Sequence, residues 1–376
     1  MSARLVVVLI AAAIVAPATA SAQNSIFGIR GTGFPGRQVS ARARALGDAW
    51  GPFDRTSTVN PATIATFTSL GVSATGGTTR RRYSIDETDV SGLVETRFPH
   101  AVLGGRVGGL PVSFAVSFST YAERSWAITR TDTVSINNAP VAVVDSIASD
   151  GGIVDARAAL GWRISAGFQV GAAFHLINGS TRVTARREFV DREFGTFLEE
   201  SNVNFRGIGV SVGFRAVLAQ QRLQLAGAAR FDNNLKSTVE SSNAQTTTDL
   251  PASVNGGVSL VMTSQLRWSV AGAWYGWGQS NDDLAVETFD TWQIGSGFEF
   301  GGVTSRFPLR VGVRYATLPF SPVASQPHEW GFSAGTGTRF ASNRGQLNVT
   351  IERLLRDGAR VVERAWHVSV GISIQP

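Results

Sequence analysis

The 376-residue chain carries 41 glycines and nine tryptophans but two methionines, no cysteine and only 16% charged residues. That composition is unlike a cytosolic helical enzyme, and the lack of cysteine excludes disulfides, a thiol nucleophile, thiolate metal sites and a lipoprotein anchor. The formal charge of +6 comes from basic residues spread along the chain, which excludes the concentrated basic face of a nucleic-acid-binding domain.

Residues 1–22 contain one basic residue, Arg4, then an apolar run from Leu5 to Ala16, Pro17, and small residues ending Ala20-Ser21-Ala22. This is the layout of a secretory signal peptide with an A-x-A site, and it predicts cleavage before Gln23. No later apolar run reaches the roughly 18 residues of a membrane-spanning helix, so any span in the mature chain must be built from strands.

Residues 41–65, ARARALGDAWGPFDRTSTVNPATIA, do not alternate like a strand. Ala41 to Trp50 is rich in helix formers, Gly51-Pro52 stops that helix, and Asn60-Pro61 opens a second short turn with Asn60 as its cap. The stretch reads as the centre of a compact plug over residues 23–67, the alternative being a loose N-terminal arm.

From residue 68 onward apolar and polar residues alternate. In the last segment Trp366, Val368, Val370, Ile372 and Ile374 share one face, and His367, Ser369, Gly371 and Ser373 the other. Segments of this kind lie near 68–83, 96–107, 112–130, 153–163, 168–187, 203–218, 223–235, 250–262, 266–278, 289–301, 308–317, 329–340, 345–355 and 364–374. Connections at 84–95, 131–152, 188–202, 236–249 and 279–288 are mostly long and polar, whereas those at 108–111, 164–167, 219–222, 263–265 and 341–344 are short. Long loops on one rim and short turns on the other are the signature of a bacterial outer-membrane barrel. A soluble β-sandwich or propeller leaves that asymmetry unexplained. The smaller face, mostly Ser, Gly, Ala, Arg and Thr, suits a wet or plugged lumen better than a dry core. Trp126, Trp162, Trp268, Trp292, Trp330 and Trp366 near strand ends suit the two interfacial girdles of a barrel. Asn178-Gly179, inside the segment 168–187, is either a hairpin turn that breaks the loop parity or a bulge that preserves it, and parity favours the bulge. The expected fold is all-β: a transmembrane antiparallel β-barrel of about 14 strands over residues 68–376, with an N-terminal helical plug inside its lumen.

Little in the chain points to chemistry. His100, His175, His328 and His367 fall singly in four segments without metal-ligand spacing, and read as structural. There is no phosphate-binding G-x-x-x-x-G-K-[ST] loop; Gly31 to Gly36 is glycine-rich but follows no βαβ pattern. Glu199-Glu200 and Asp282-Asp283 fall in expected outer loops and read as solvated. Arg80-Arg81-Arg82 beside Tyr83 reads as solvated loop charge, with lipid phosphates at a membrane rim as the alternative. No cofactor or metal is expected, and no enzymatic activity.

The plug and the barrel together resemble the FadL and TodX type of outer-membrane transport protein, which carries hydrophobic molecules such as long-chain fatty acids, and more distantly the PorV-like barrels. The resemblance rests on Leu46-Gly47-Asp48-Ala49, Asp54, Ser57 and Asn60-Pro61-Ala62 in the hatch. It rests also on Leu250-Pro251-Ala252-Ser253-Val254, Gly257-Val258-Ser259 and Trp274-Tyr275-Gly276-Trp277 in the barrel. Three departures stand out: Thr63 where the family usually has Gly, no Gly or Pro in 112–130 where the family's third strand kinks beside a lateral opening, and a terminus ending Ile374-Gln375-Pro376 without the usual aromatic residue.

What the resemblance implies is passive uptake of a hydrophobic small molecule, fatty-acid-like or an aromatic hydrocarbon, through a plugged lumen. The gating and ligand-binding residues would be Asn60, Pro61 and Ala62 in the hatch, with Phe34, Trp50 and Phe53 as apolar contacts. The alternative is a PorV-like structural barrel that binds protein partners without transport; the plug argues against a general porin. Expected surroundings are outer-membrane lipid and lipopolysaccharide, around a monomer.

Overall fold

The computed structural model describes residues 25–375 except positions 87, 192, 282, 285, 302–304 and 322–324. The expected signal peptide, its cleavage before Gln23, and Asp282 lie outside the described residues.

Fourteen strands form a closed antiparallel barrel: β1 (Gly71–Ile85), β2 (Thr88–Arg106), β3 (Val112–Glu123), β4 (Ala139–Arg163), β5 (Phe168–Phe189), β6 (Phe197–Leu218), β7 (Leu223–Asp232), β8 (Ser253–Thr263), β9 (Leu266–Tyr275), β10 (Thr291–Phe300), β11 (Leu309–Thr317), β12 (His328–Phe340), β13 (Gly345–Gly358) and β14 (Val361–Ile374). Each pairs with the next, and β14 returns to β1 from Val361↔Ile85 to Ile374↔Val72, so the ring has no first or last strand. Side chains follow the alternation. On β14, Trp366, Val368 and Ile372 are exposed on the outer wall while Glu363, Ala365, His367 and Ser369 are buried inside. The outward row is apolar because it meets lipid; the inward row is polar because it meets the plug.

Two connections expected as polar loops are largely strand. β1 and β2 run on through 84–95 and turn at Asp86, whose φ is 45°. Trp126–Ile136 pairs with the outer half of β4 from Trp126↔Ser149 to Ile136↔Ala139, around Asn137 and Asn138 with φ of 51° and 65°. Two successive positive φ values are what a tight type I′ hairpin requires. Beyond the membrane both faces of a hairpin are wet, so polar composition there does not argue against a strand. A further outer hairpin, Leu235–Val239 with Gln245–Thr248, extends the wall from β6.

Asn178-Gly179 is neither turn nor bulge. β5 passes straight through it, Gly179 facing Ile153 on β4 and Phe205 on β6 without a register shift. Glycine serves there for closeness: a Cβ on Gly179 would collide with the Gly152 carbonyl oxygen.

The helix expected over 41–50 is also shorter. Only α1 (Ala41–Arg44) forms, its N-cap Ser40 Oγ accepting from Ala43 N at 3.1 Å. Gly47 and Asp48 then take φ of 61° and 67°, in the left-handed region, and the chain leaves the helix. Short 3₁₀ segments follow at Gly51–Phe53 and Pro61–Thr66.

Candidate functional site in the plugged lumen

Residues 41–67 run around the inside of the wall, and wall glycines make room for them. A Cβ at Gly371 on β14 would stand 3.2 Å from Ala41 Cβ, and one at Gly335 on β12 2.7 Å from Ala45 Cβ. Glycines 312 on β11 and 297 on β10 admit Leu46-Gly47, and Gly257 on β8 lies against Phe53. Gly213 on β6 receives the Asn60 amide, Gly171 on β5 would place a Cβ 2.5 Å from the Pro61 carbonyl carbon, and Gly161 on β4 admits Ala65. The plug thus passes the strands in descending order and meets a missing side chain at most of them.

Ion pairs hold its middle. Arg37 binds Asp48 through Nη2 at 2.6 Å and Glu352 of β13 at 2.9 Å, and Arg44 reaches the same Glu352 at 3.2 Å. Burial lowers the Arg44 guanidinium from its usual value; in Arg37 burial acts the same way but is outweighed by Asp48 and Glu352, so its value rises. The chain of charges continues from Arg314, near Asp48, through Glu329 and Arg356 to Glu363, which accepts from Ser25 Oγ at 2.9 Å and Ile26 N at 3.2 Å. The N-terminal arm is therefore anchored at the outer rim.

The six residues expected to gate or bind ligand fall into three places. Asn60, Pro61 and Ala62 are buried between plug and wall: Asn60 Oδ1 accepts from Ala62 N at 2.9 Å, and its Nδ2 donates to Pro52 O at 2.9 Å and Phe214 O at 3.0 Å. Thr63 closes the same turn with Oγ1 donating to Asn60 O at 2.8 Å, a bond the expected glycine would lack. The guanidiniums of Arg42 and Arg267 both lie over the Trp50 ring, at 4.7 and 4.9 Å, and Phe53 sits 5.4 Å away in a cluster with Val39, Ala43 and Leu46. Phe34 stands apart, on an outer cavity.

Two lumen cavities flank the plug and share no lining residue. The outer one, about 170 Å³, is bounded by Phe34, Tyr121, Val59, Trp277 and Leu318; its three arginines, Arg37, Arg230 and Arg314, face three carboxylates, Asp48, Asp232 and Glu329. The inner one, about 290 Å³ near the short turns, is bounded by Trp50, Phe53 and Phe67; among its described lining residues Arg42, Arg55, Arg215 and Arg339 are basic and Asp54 acidic, and Arg42 pairs with Glu299 at 2.9 Å. Asp54 is itself saturated by Ser40, Ser57 and Thr56. One cavity is balanced in charge; the other is positive.

The wall opens beside the outer cavity. β2 and β3 pair only from His100↔Ser119 to Arg106↔Ser113. The register of β3 against β4 slips between Thr120 and Ala122, and Arg124-Ser125 leave the ladder. The arm fills the space: Phe34 and Pro35 pair with Glu123 and Ala122, and Gly36 N donates to Tyr121 O at 2.9 Å. So β3 bends although it contains neither Gly nor Pro. The glycines that permit the bend are in the arm, where a Cβ on Gly33 would stand 2.5 Å from Glu123 O and one on Gly36 would strike Thr120 O. Above His100 the gap is bridged by Arg97 Nη2 donating to Ser125 Oγ at 2.7 Å.

Sequence reading also missed a buried relay. His175 Nδ1 and Asp155 Oδ2 are 2.9 Å apart, His175 Nε2 is 2.9 Å from Ser211 Oγ, and Arg230 shares Asp155 at 2.6 Å. The residues stand on β4 to β7 at cross-strand spacing, which only the register reveals. Ser211 lies on a strand whose backbone is committed to ladders on both sides, so no amide pair is free beside it to hold an oxyanion.

This fold and filled lumen define a plugged transmembrane β-barrel. The chain belongs to the BamG family, whose family model matches residues 1–268. No curated protein matches the chain in sequence. Among solved structures it is similar to a Pseudomonas aeruginosa FadL homologue (12% identity, TM-score 0.64, covering 91% of this chain and 99% of that one). The Ralstonia pickettii toluene transporter TbuX (13%, 0.59, 90% and 98%) and the Pseudomonas putida toluene transporter TodX (12%, 0.57, 90% and 98%) are similar as well. At such identities the likeness is one of fold, and the FadL-type fold is the one this chain has.

Proposed function

We propose that the protein sits as a monomer in the bacterial outer membrane, among lipid and lipopolysaccharide, and mediates passive uptake of hydrophobic small molecules, fatty-acid-like or aromatic. The observation that carries this reading is the gap between β2 and β3 beside the outer cavity. An apolar molecule loses its contacts in an aqueous pore, whereas a route from a cavity lined by Phe34, Tyr121 and Trp277 sideways into the bilayer keeps them. Toluene transport by the similar TbuX and TodX supports the ligand class. In this reading Phe34 touches the ligand and the arm from Gly31 to Gly36 yields, while Asn60, Pro61, Ala62, Trp50 and Phe53 keep the plug in place.

The test uses the cysteine-free background. Arg97→Cys with Ser125→Cys, joined by a short thiol cross-linker, should stop uptake of labelled toluene or dodecanoate into proteoliposomes, and uncoupled protein should retain it. Uptake at the parent rate after cross-linking would exclude the lateral route.

A second reading, a PorV-like barrel that binds protein partners, is favoured by one feature: the plug packs on glycines of eight wall strands, and the two lumen cavities on either side of it share no lining residue. A parent protein that neither binds nor passes any hydrophobic tracer would support it.

A further inference from the structure

The basic run Arg80-Arg81-Arg82 is split by the barrel wall. Arg81 points inward and pairs with Glu95 at 3.0 Å, whereas Arg80 and Arg82 are exposed on the outer face. The register brings two more arginines to them. Phe332, Arg353, Trp366 and Arg80 form one cross-strand row over β12, β13, β14 and β1. Trp330, Leu355, Arg364 and Arg82 form the next row outward. Residues opposite each other in such rows lie about 5 Å apart. The Arg353 guanidinium covers the Trp366 ring at 5.1 Å. Among the described residues no carboxylate pairs with Arg80, Arg82, Arg353 or Arg364.

The level of these rows can be read from the strands. A barrel strand crosses the hydrocarbon in about 9–11 residues. Counting from the short-turn rim at Gly71 and Ile374, that distance reaches Arg80 to Arg82 on β1 and Arg364 on β14. Between rim and arginines the outer wall carries Val72, Ala74, Val368, Val370, Ile372 and Ile374. The arginines therefore stand at the far edge of the apolar band, on the rim of the long hairpins, which in outer-membrane barrels faces outside. Four like charges packed beside one another against an apolar wall repel, and they need counter-charge from the membrane itself.

We infer that this patch binds the phosphorylated headgroup of an outer-leaflet glycolipid, the lipid A of lipopolysaccharide. Arg82 and Arg364 face one another and hold one phosphate through charge-assisted bonds; Arg80 and Arg353, on either side of Trp366, hold the second. Phe332 and Trp366, in the row nearer the short turns, lie against the start of the acyl chains, and Trp330 flanks the headgroup in the outer row. The inference rests on the outer-membrane location proposed above but not on transport.

The experiment uses the mature protein in detergent, titrated with bisphosphorylated lipid A, with dephosphorylated lipid A and with phosphatidylglycerol, and read by native mass spectrometry. The parent should bind the bisphosphorylated lipid at least about tenfold more tightly than either of the others. Arg80→Gln, Arg82→Gln, Arg353→Gln and Arg364→Gln together should remove that preference while heat-modifiable mobility on a gel persists. Equal binding of phosphorylated and dephosphorylated lipid A by the parent would overturn the site whether or not the variant folds. Phosphatidylglycerol binding as tightly as lipid A would overturn the glycolipid assignment. Recovery of the protein outside the outer-membrane fraction would instead remove the location on which the inference rests.

Discussion

Asn60 in the plug and Phe214 in β6 are joined by a single hydrogen bond, the side-chain amide donating to the strand carbonyl at 3.0 Å, directly above a glycine that leaves room for it. The same amide group also spans Pro52 O and Ala62 N, so one side chain ties both plug turns to the wall. Asn60→Ala removes all three bonds and leaves buried backbone groups unpaired, at a cost of about 2–3 kcal/mol. That is more than the loss of a cap alone, about 1 kcal/mol. Stability against urea in lipid vesicles should fall by that amount while the barrel keeps its heat-modifiable mobility. A loss no larger than that of Thr58→Ala would show that the amide does not hold the plug.

The wall glycines make a sharper prediction. Gly171→Val drives two methyl groups into Pro61, whereas Gly108→Ala, in a turn with nothing within 4 Å, meets no neighbour. The first variant should unseat the plug and give fluctuating ion conductance in a planar bilayer; the second should stay silent like the parent. Silence from both, with both folded, would mean the plug is not held by fit to the wall.

These two sites show what the sequence could and could not tell. The cap at Asn60 and the outward face of β14 follow from local rules, and both are present; the helix stop expected at Gly51-Pro52 is not, because the helix already ends at Arg44 and Gly51-Pro52 opens a 3₁₀ turn. The seat of the plug is not local: Gly171 and Gly213 look like weak strand positions until residue 61 is placed beside them. The bend in β3 was hidden for the same reason, since the glycines that allow it are some ninety residues away in the arm. The hairpins above the membrane were misread because alternation signals a wall with one wet and one dry side, and they have two wet sides.

The depth of the apolar band can be measured on β14. Val368 is 42% exposed on the lipid face near mid-wall, and Trp366 is 50% exposed one step nearer the arginines. Val368→Arg should cost roughly 2–4 kcal/mol and Trp366→Arg about 0–1 kcal/mol beyond the loss of its ring contacts. Ser369→Arg is no mild control, because that side chain is wholly buried beneath the plug. Urea unfolding in vesicles compares them, and equal costs at 366 and 368 would place the membrane boundary elsewhere.

The last prediction concerns the lumen once the plug is gone. Deleting residues 41–65 removes Arg42, Arg44, Asp48, Asp54 and Arg55 but leaves Arg215, Arg267, Arg310 and Arg339 on the inner wall, where Glu299 is the carboxylate among them. Toward the outer rim Arg230, Arg314 and Arg356 remain matched by Asp155, Asp232, Glu329 and Glu363. An opened lumen is therefore positive at its inner end, and a charged constriction selects ions of opposite sign. The deletion should give a steady conductance whose reversal potential in a potassium chloride gradient favours chloride, and Arg215→Gln with Arg339→Gln in the same background should reduce that preference. Should the deletion fail to assemble, Gly171→Val offers the same readout with the plug displaced instead of absent. A folded, open variant that prefers potassium would show that the arginines are neutralised by partners outside the lumen and do not set its field.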